Sequence, residues 1–244
     1  MRSSIKGLLG LALLSTAAPA FAQEAAEESA PPVTVTGGVT VVSDYRFRGV
    51  SFSDEDFAVQ PTITLNHESG VYLGVWGSNL DDTPVFGEVE VDLYAGYTTE
   101  VAPGTNIDVG VVYYWYPDGT GNSDYFEPYA SIKTTLGPVS AKFGLAYAFD
   151  QSALGSDDNI YLYTDLTLGV PDTPVTLVGH LGYSDGALAF GGSYWDWALG
   201  ADVSFAPFTL GVRYIDTDLD DLTGIPAADT LYDETILFTL GVTF

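Results

Sequence analysis

Residues 232–244 read YDETILFTLGVTF. Ile236, Phe238, Leu240, Val242 and Phe244 occupy alternate positions, with Thr235, Leu237, Thr239, Gly241 and Thr243 between them. A two-residue period describes a β-strand with one apolar and one mostly polar face. A strand of this length ending on a carboxy-terminal Phe has the form of the closing strand of an outer-membrane barrel.

Working outward from this ending, the same alternation recurs in twelve stretches, near 33–44, 57–68, 71–80, 87–99, 106–116, 125–136, 138–150, 159–170, 175–184, 194–205, 207–217 and 232–244. Each is close to the roughly ten residues that a tilted membrane strand needs. Tight Gly/Pro turns, such as Ser69-Gly70 and Gly137-Pro138, alternate with longer polar segments at 45–56, 81–86, 117–124, 151–158, 185–193 and 218–231. Short turns on one side and long loops on the other is the outer-membrane pattern. The expected fold class is therefore all-β: a closed antiparallel transmembrane β-barrel of twelve strands.

Alternation alone does not say which face is wet, because a soluble sandwich turns its apolar face inward and a membrane barrel turns it outward. The aromatics favour outward. Tyr45, Phe47, Tyr113, Trp115, Tyr147, Trp195, Trp197 and Tyr214 fall near the long-loop ends, and Phe244 near the short-turn ends, as two membrane-interface girdles require. Trp76 is the exception, since its parity points inward. The opposite face carries the charge. Arg46, Arg48, Glu88, Glu90, Asp92, Asp108, Glu127, Lys133, Lys142, Asp165, Asp196, Asp202 and Arg213 are the pore-lining candidates. Inward carboxylates in excess act as a filter favouring cations. Arg46 and Arg48 either neutralise Asp44 and Asp54 or form a positive patch against an acidic wall.

The chain opens MRSSIKGLLGLALLSTAAPAFAQ. A basic start, a short apolar run and Ala20-Phe21-Ala22 are the parts of a signal peptide over 1–22, followed by a flexible acidic leader at 23–32 and the barrel at 33–244. Formal net charge is −26, and loss of Arg2 and Lys6 with the signal takes it to −28. Such acidity excludes nucleic acid as a partner. With no Cys, export is not used to build a disulfide scaffold. The acidic loop runs (Asp54-Glu55-Asp56, Asp81-Asp82, Asp157-Asp158 and the Asp216–Asp221 region) read as solvated loop tips, or as sites where divalent cations bridge to lipopolysaccharide.

The motif SDYRFRGVSFSD (43–54) resembles the TorF family of proteobacterial porins, a family of otherwise unknown function. The resemblance continues through HESGVYLGVWGSN (67–79), EVDLYAGY (90–97), GPVSAKFG (137–144), GYSDG (182–186) and FTLGVRYIDTDL (208–219), across almost the whole chain after the signal segment. It implies a porin-like barrel in the outer membrane and supplies no substrate or catalytic residues.

No enzyme is expected. His67 sits beside a turn and His180 in mid-strand, without an elbow, a ligand cluster or a phosphate loop. The catalytic, metal and cofactor assignments are all none. The inward tyrosines Tyr94, Tyr114, Tyr116, Tyr125, Tyr129, Tyr161 and Tyr163 read either as packing that narrows the lumen or as a stacking track. The expected function is passive diffusion of small hydrophilic solutes through a narrow, cation-preferring pore in the outer membrane of a Gram-negative bacterium. The alternative is a non-conducting structural or adhesive barrel working through its acidic loops. The expected partners are outer-membrane lipid and lipopolysaccharide, the barrel assembly machinery through the carboxy-terminal strand, and the solutes themselves.

Overall fold

The computed structural model describes residues 32–189, 192–219 and 231–244. The signal segment 1–22, all but the last residue of the leader, and Asp220 and Asp221 lie outside the described residues. Twelve long strands carry the fold: β1 (Val33–Val42), β4 (Ala58–His67), β5 (Val71–Thr83), β6 (Gly87–Ala102), β7 (Thr105–Trp115), β8 (Tyr125–Leu136), β9 (Val139–Gln151), β10 (Asp157–Gly169), β11 (Val175–Gly186), β12 (Gly192–Phe205), β13 (Phe208–Thr217) and β14 (Thr235–Thr243). A two-stranded hairpin, β2 (Arg46–Phe47) and β3 (Val50–Ser51), stands apart from them.

Each long strand pairs antiparallel with its chain neighbour, and β1 pairs with β14 to close a twelve-stranded barrel. The seam is short. Its register runs from Gly38↔Thr243 to Val42↔Thr239, five pairs, whereas β1 and β4 pair from Val33↔His67 to Val42↔Ala58, ten pairs. Backbone bonds between Gly37 and Phe244 finish it, with Phe244 N–H donating to Gly37 at 3.0 Å and Gly37 N–H to Phe244 at 3.1 Å.

The apolar face points outward. Leu93, Val109, Leu166, Leu177, Leu210, Val212 and Leu240 are exposed, as are Leu199 at 65% and Phe238 at 59%. So many exposed large aliphatic side chains would be a severe liability in water and suit a hydrocarbon surround. The inward positions between them are half-buried or buried. Trp115, Trp195 and Tyr214 are exposed toward the long-loop end and Phe244 toward the short-turn end. Tyr113, Tyr147 and Trp197 share the outward face and are half-buried. Three girdle tyrosines donate to loop carboxylates: Tyr113 to Asp124, Tyr147 to Asp158 and Tyr214 to Asp216. Part of the acidic loop character thus serves to hold these outward rings.

Three expectations are corrected here. Residues 45–53 do not form an exposed loop, because the β2–β3 hairpin folds back into the lumen, while Asp54, Glu55 and Asp56 are exposed as expected of loop tips. Tyr45 and Phe47 therefore do not belong to the outer girdle. Tyr45 is buried, with its ring 5.4 Å from Trp76 and 5.7 Å from Phe52, and Phe47 lies 5.9 Å from the ring of Tyr114. The alternation rule fails at these residues because the chain leaves the barrel wall after Val42. Trp76 is inward for the same reason: the hairpin gives it an aromatic partner. Part of the segment 81–86, expected as loop, continues β5 through Thr83.

Candidate functional site

The hairpin divides the lumen. Its turn is formed by Arg48 and Gly49, with φ of 51° and 86°, which is the left-handed pair that a two-residue hairpin needs. A non-glycine residue rarely holds such a φ, and Arg48 is held from several sides. Its guanidinium Nη2 donates to both oxygens of Glu127 on β8, at 2.6 and 2.7 Å. Its carbonyl accepts from Tyr194 Oη at 3.0 Å, and its Cζ lies 4.2 Å from the ring centre of Tyr161. A Cβ at Gly49 would meet Thr217 and, at 3.1 Å, the Cβ of Asp196, so only glycine fits there. Arg46 binds Asp44 and donates to the carbonyls of Leu231 at 2.8 Å and Asp233 at 3.0 Å. Asp44 also accepts from Ser51 Oγ at 2.6 Å, which ties the base of the hairpin. Asp54, one of the two acids expected to neutralise the arginines, is not an ion-pair partner of either.

Above the hairpin, an aromatic cluster packs in the long-loop half of the lumen: Tyr45, Phe47, Phe52, Phe86, Tyr114, Tyr116 and Tyr125. Tyr114 and Tyr125 stack at 4.5 Å, and Phe86 lies 4.7 Å from Tyr116. Within this half, Glu90 is fully buried and accepts from Tyr45 Oη at 3.3 Å. Glu90 Oε2 and Asp92 Oδ1 are buried with no hydrogen-bond partner among the described residues.

Below the hairpin lies a cavity of about 580 Å³, lined by Arg48, Tyr94, Asp108, Glu127, Tyr129, Lys142, Tyr163, His180, Asp196 and Arg213 among others. His180 on β11 is held between two carboxylates, with Nδ1 2.6 Å from Asp165 and Nε2 3.0 Å from Asp196. Tyr161 Oη is 2.9 Å from the same Nε2. With an acid on each ring nitrogen, His180 serves best as a doubly donating imidazolium. Ser184, two inward positions along, spends its hydroxyl on Asn159. Arg213 pairs with both oxygens of Asp202 at 2.8 Å.

The wall of this cavity follows a simple packing rule. Inward tyrosines lie across inward glycines of neighbouring strands: Tyr94 on Gly74, Tyr72 on Gly96, Tyr129 on Gly110, Tyr163 on Gly144 and Tyr161 on Gly182. A Cβ at any of these glycines would come within 3.0 Å of the ring. The missing side chain lets the ring lie close against the wall and leaves space at the centre of the barrel.

Of the predicted pore-lining residues, the structure brings Arg46, Arg48, Asp108, Glu127, Lys142, Asp196 and Arg213 to the cavity. Glu90, Asp92, Asp165 and Asp202 share the inward face, and so does Lys133, paired in register with Lys142 and exposed toward the short-turn end. Glu88 is the correction. It is exposed at the start of β6, where its N–H donates to Asp118 at 3.2 Å, because the strand has passed the rim by that point. Tyr72, which donates to Asp108 at 2.7 Å, was missed by the sequence reading. Its even parity in the alternating run 71–75 was the available signal. The charge is also unevenly distributed. The inward faces of β14, β1 and β4 carry hydroxyls and amides, such as Thr239, Thr40, Gln60, Thr62 and Thr64, while all the inward charges of the wall lie on β6 to β13.

The chain belongs to the family described as bacterial protein of unknown function (Gcw_chp), whose model matches residues 25–244. No curated protein matches it. Among solved structures it is similar to the NanC porin, with a TM-score of 0.59 at 11% identity over 86% of this chain and 99% of that one. It is also similar to the KdgM porin, solved in complex with disordered oligogalacturonate, with a TM-score of 0.56 at 9% identity over 86% of this chain and 97% of that one. At such identities the likeness is one of fold.

Proposed function

We propose that this member of the family is an outer-membrane porin, passing small hydrophilic solutes by diffusion through a narrow, cation-preferring lumen. The observation that carries the reading is the inversion of polarity: an apolar exterior around a charged, tyrosine-lined cavity. Glu90, Asp92, Asp108, Glu127, Asp165, Asp196 and Asp202 face inward against Lys133, Lys142, His180, Arg213 and the hairpin's two arginines. Fixed carboxylates in excess lower the energy of a cation in a confined lumen. The porin fold of the similar structures and the resemblance to TorF porins support the same reading. On this reading outer-membrane lipid surrounds the apolar band, lipopolysaccharide meets the acidic loops, and the assembly machinery engages β14.

The test is conductance of the purified protein in a planar bilayer under a potassium chloride gradient. A reversal potential of the cation-selective sign is expected. Anion preference would overturn the charge filter and point to Arg46 and Arg48 as the controlling groups. Absence of current from inserted protein would favour a second reading, a closed structural barrel acting through its loops. The aromatic cluster packed around the hairpin is the observation that favours that alternative.

A further inference from the structure

We propose that the lumen cavity binds an organic ammonium ion, with Asp108 as its counter-charge and Tyr94 and Tyr129 as its walls. Asp108 is the one carboxylate lining the cavity that has no basic partner among the described residues: Arg48 takes Glu127, and His180 takes Asp196. Its contact is Tyr72 Oη, a neutral donor, at 2.7 Å.

The cavity already shows how its tyrosines treat cations. Arg48 Cζ stands 4.2 Å from the ring centre of Tyr161, and Lys142 Nζ stands 5.1 Å from that of Tyr163. Both lie within the distance over which a ring quadrupole attracts a positive charge. These two rings thus turn a face to the lumen, and each is occupied by one of the protein's own cations. Tyr94 and Tyr129 line the same cavity and carry no such cation among the described residues.

Their hydroxyls are anchored away from the centre. Tyr94 Oη is 2.5 Å from Thr64 Oγ1, and Tyr129 Oη bonds Tyr72 Oη. Gly74 and Gly110 let the two rings sit against the wall. The platform is therefore fixed before any solute arrives, which reduces the ordering cost of binding. A volume of about 580 Å³ admits a small ammonium compound with its hydration.

This proposal rests on the pore reading for the solute's route, but the site is tested without transport. Choline chloride, and its neutral isostere 3,3-dimethyl-1-butanol, would be titrated calorimetrically into the folded protein in detergent. Choline should bind saturably, and the isostere at least about tenfold more weakly, since it lacks the charge that both Asp108 and the ring faces select. Asp108→Asn should weaken choline about tenfold, by the loss of one charge contact. Tyr94→Phe keeps the ring and should retain binding, whereas Tyr94→Leu should lose it. Folding of each variant is checked by circular dichroism and heat-dependent gel mobility. Equal binding of the two probes, unchanged affinity in Asp108→Asn, or no binding at all would overturn the site. Normal potassium current without choline binding rejects the site and keeps the pore. Choline binding without current keeps the site and rejects the pore.

Discussion

Arg48 concentrates the residue-scale physics of this molecule. It is a buried cation in a left-handed backbone conformation, opposite the buried Glu127. Removing one partner of such a pair leaves an uncompensated charge, a cost of about 3–5 kcal/mol. Arg48→Ala should therefore release the hairpin tip from β8 rather than unfold the ladder of twelve strands. Single-channel conductance should rise, with the barrel's circular dichroism unchanged; an unchanged conductance would show that the hairpin stays in place without the pair. Sequence parity was enough to put Lys133, Lys142 and Arg213 on the inward face of the wall, whereas Arg46 and Arg48 reach the lumen because the hairpin folds back into it. It could not show that Arg48 meets Glu127, 79 positions away, because that contact depends on a chain segment leaving the wall. Glu88 shows the opposite failure: parity holds along a strand but says nothing about where the strand clears the rim.

At the scale of elements, the strands were readable because each has one face in an apolar surround and one in a polar lumen, so the two-residue period is enforced along its length. The β2–β3 hairpin obeys no such constraint. Its aromatics, Tyr45, Phe47 and Phe52, pack on several strands at once, and the first two gave a misleading girdle signal. Trp76, the one aromatic that did not fit, marked the place where the hairpin packs. Replacing residues 46–51 by a Gly/Ser linker of equal length should widen the pore. Conductance should increase several-fold while cation preference falls, and a conductance equal to wild type would place the constriction elsewhere. The last element makes a separate prediction. Phe244 adds one exposed ring and a pair of backbone bonds to Gly37, at most a few kcal/mol by transfer and hydrogen-bond magnitudes. Its deletion should lower the yield of barrel in the outer membrane far more than it lowers the stability of purified protein. Equal yields on membrane fractionation would count against recognition of the terminal strand.

For the whole molecule, one arc of the lumen is charged and the opposite arc, from β14 through β1 to β4, is neutral. On the proposed porin reading, ions are drawn toward the β6–β13 wall. At about 0.01 M salt the screening length is about 30 Å, and the fixed charges act across the lumen; at 1 M it is about 3 Å, and they act on ions that touch them. Cation selectivity should accordingly fall as salt rises. Asp92→Asn should reduce it in dilute salt, and Glu88→Gln, at the solvent-exposed rim, should change it little. Equal effects of the two substitutions in reversal-potential measurements would mean that the rim, rather than the lumen, sets selectivity. The overall architecture could be read from turn length and period alone, but the cavity could not, because it is the space left by tyrosines lying on glycines across strands.

A barrel is a hoop, and a hoop gives at its short lap joints. The closing joint has five rungs where the joint on the other edge of β1 has ten, and β4 meets β5 over five as well. Thermal breathing should open the closing seam early, with β14 peeling from β1 while β1 stays paired with β4. Hydrogen–deuterium exchange should find the amides bridging β1 and β14 opening well before those bridging β1 and β4, on the same strand and in the same membrane.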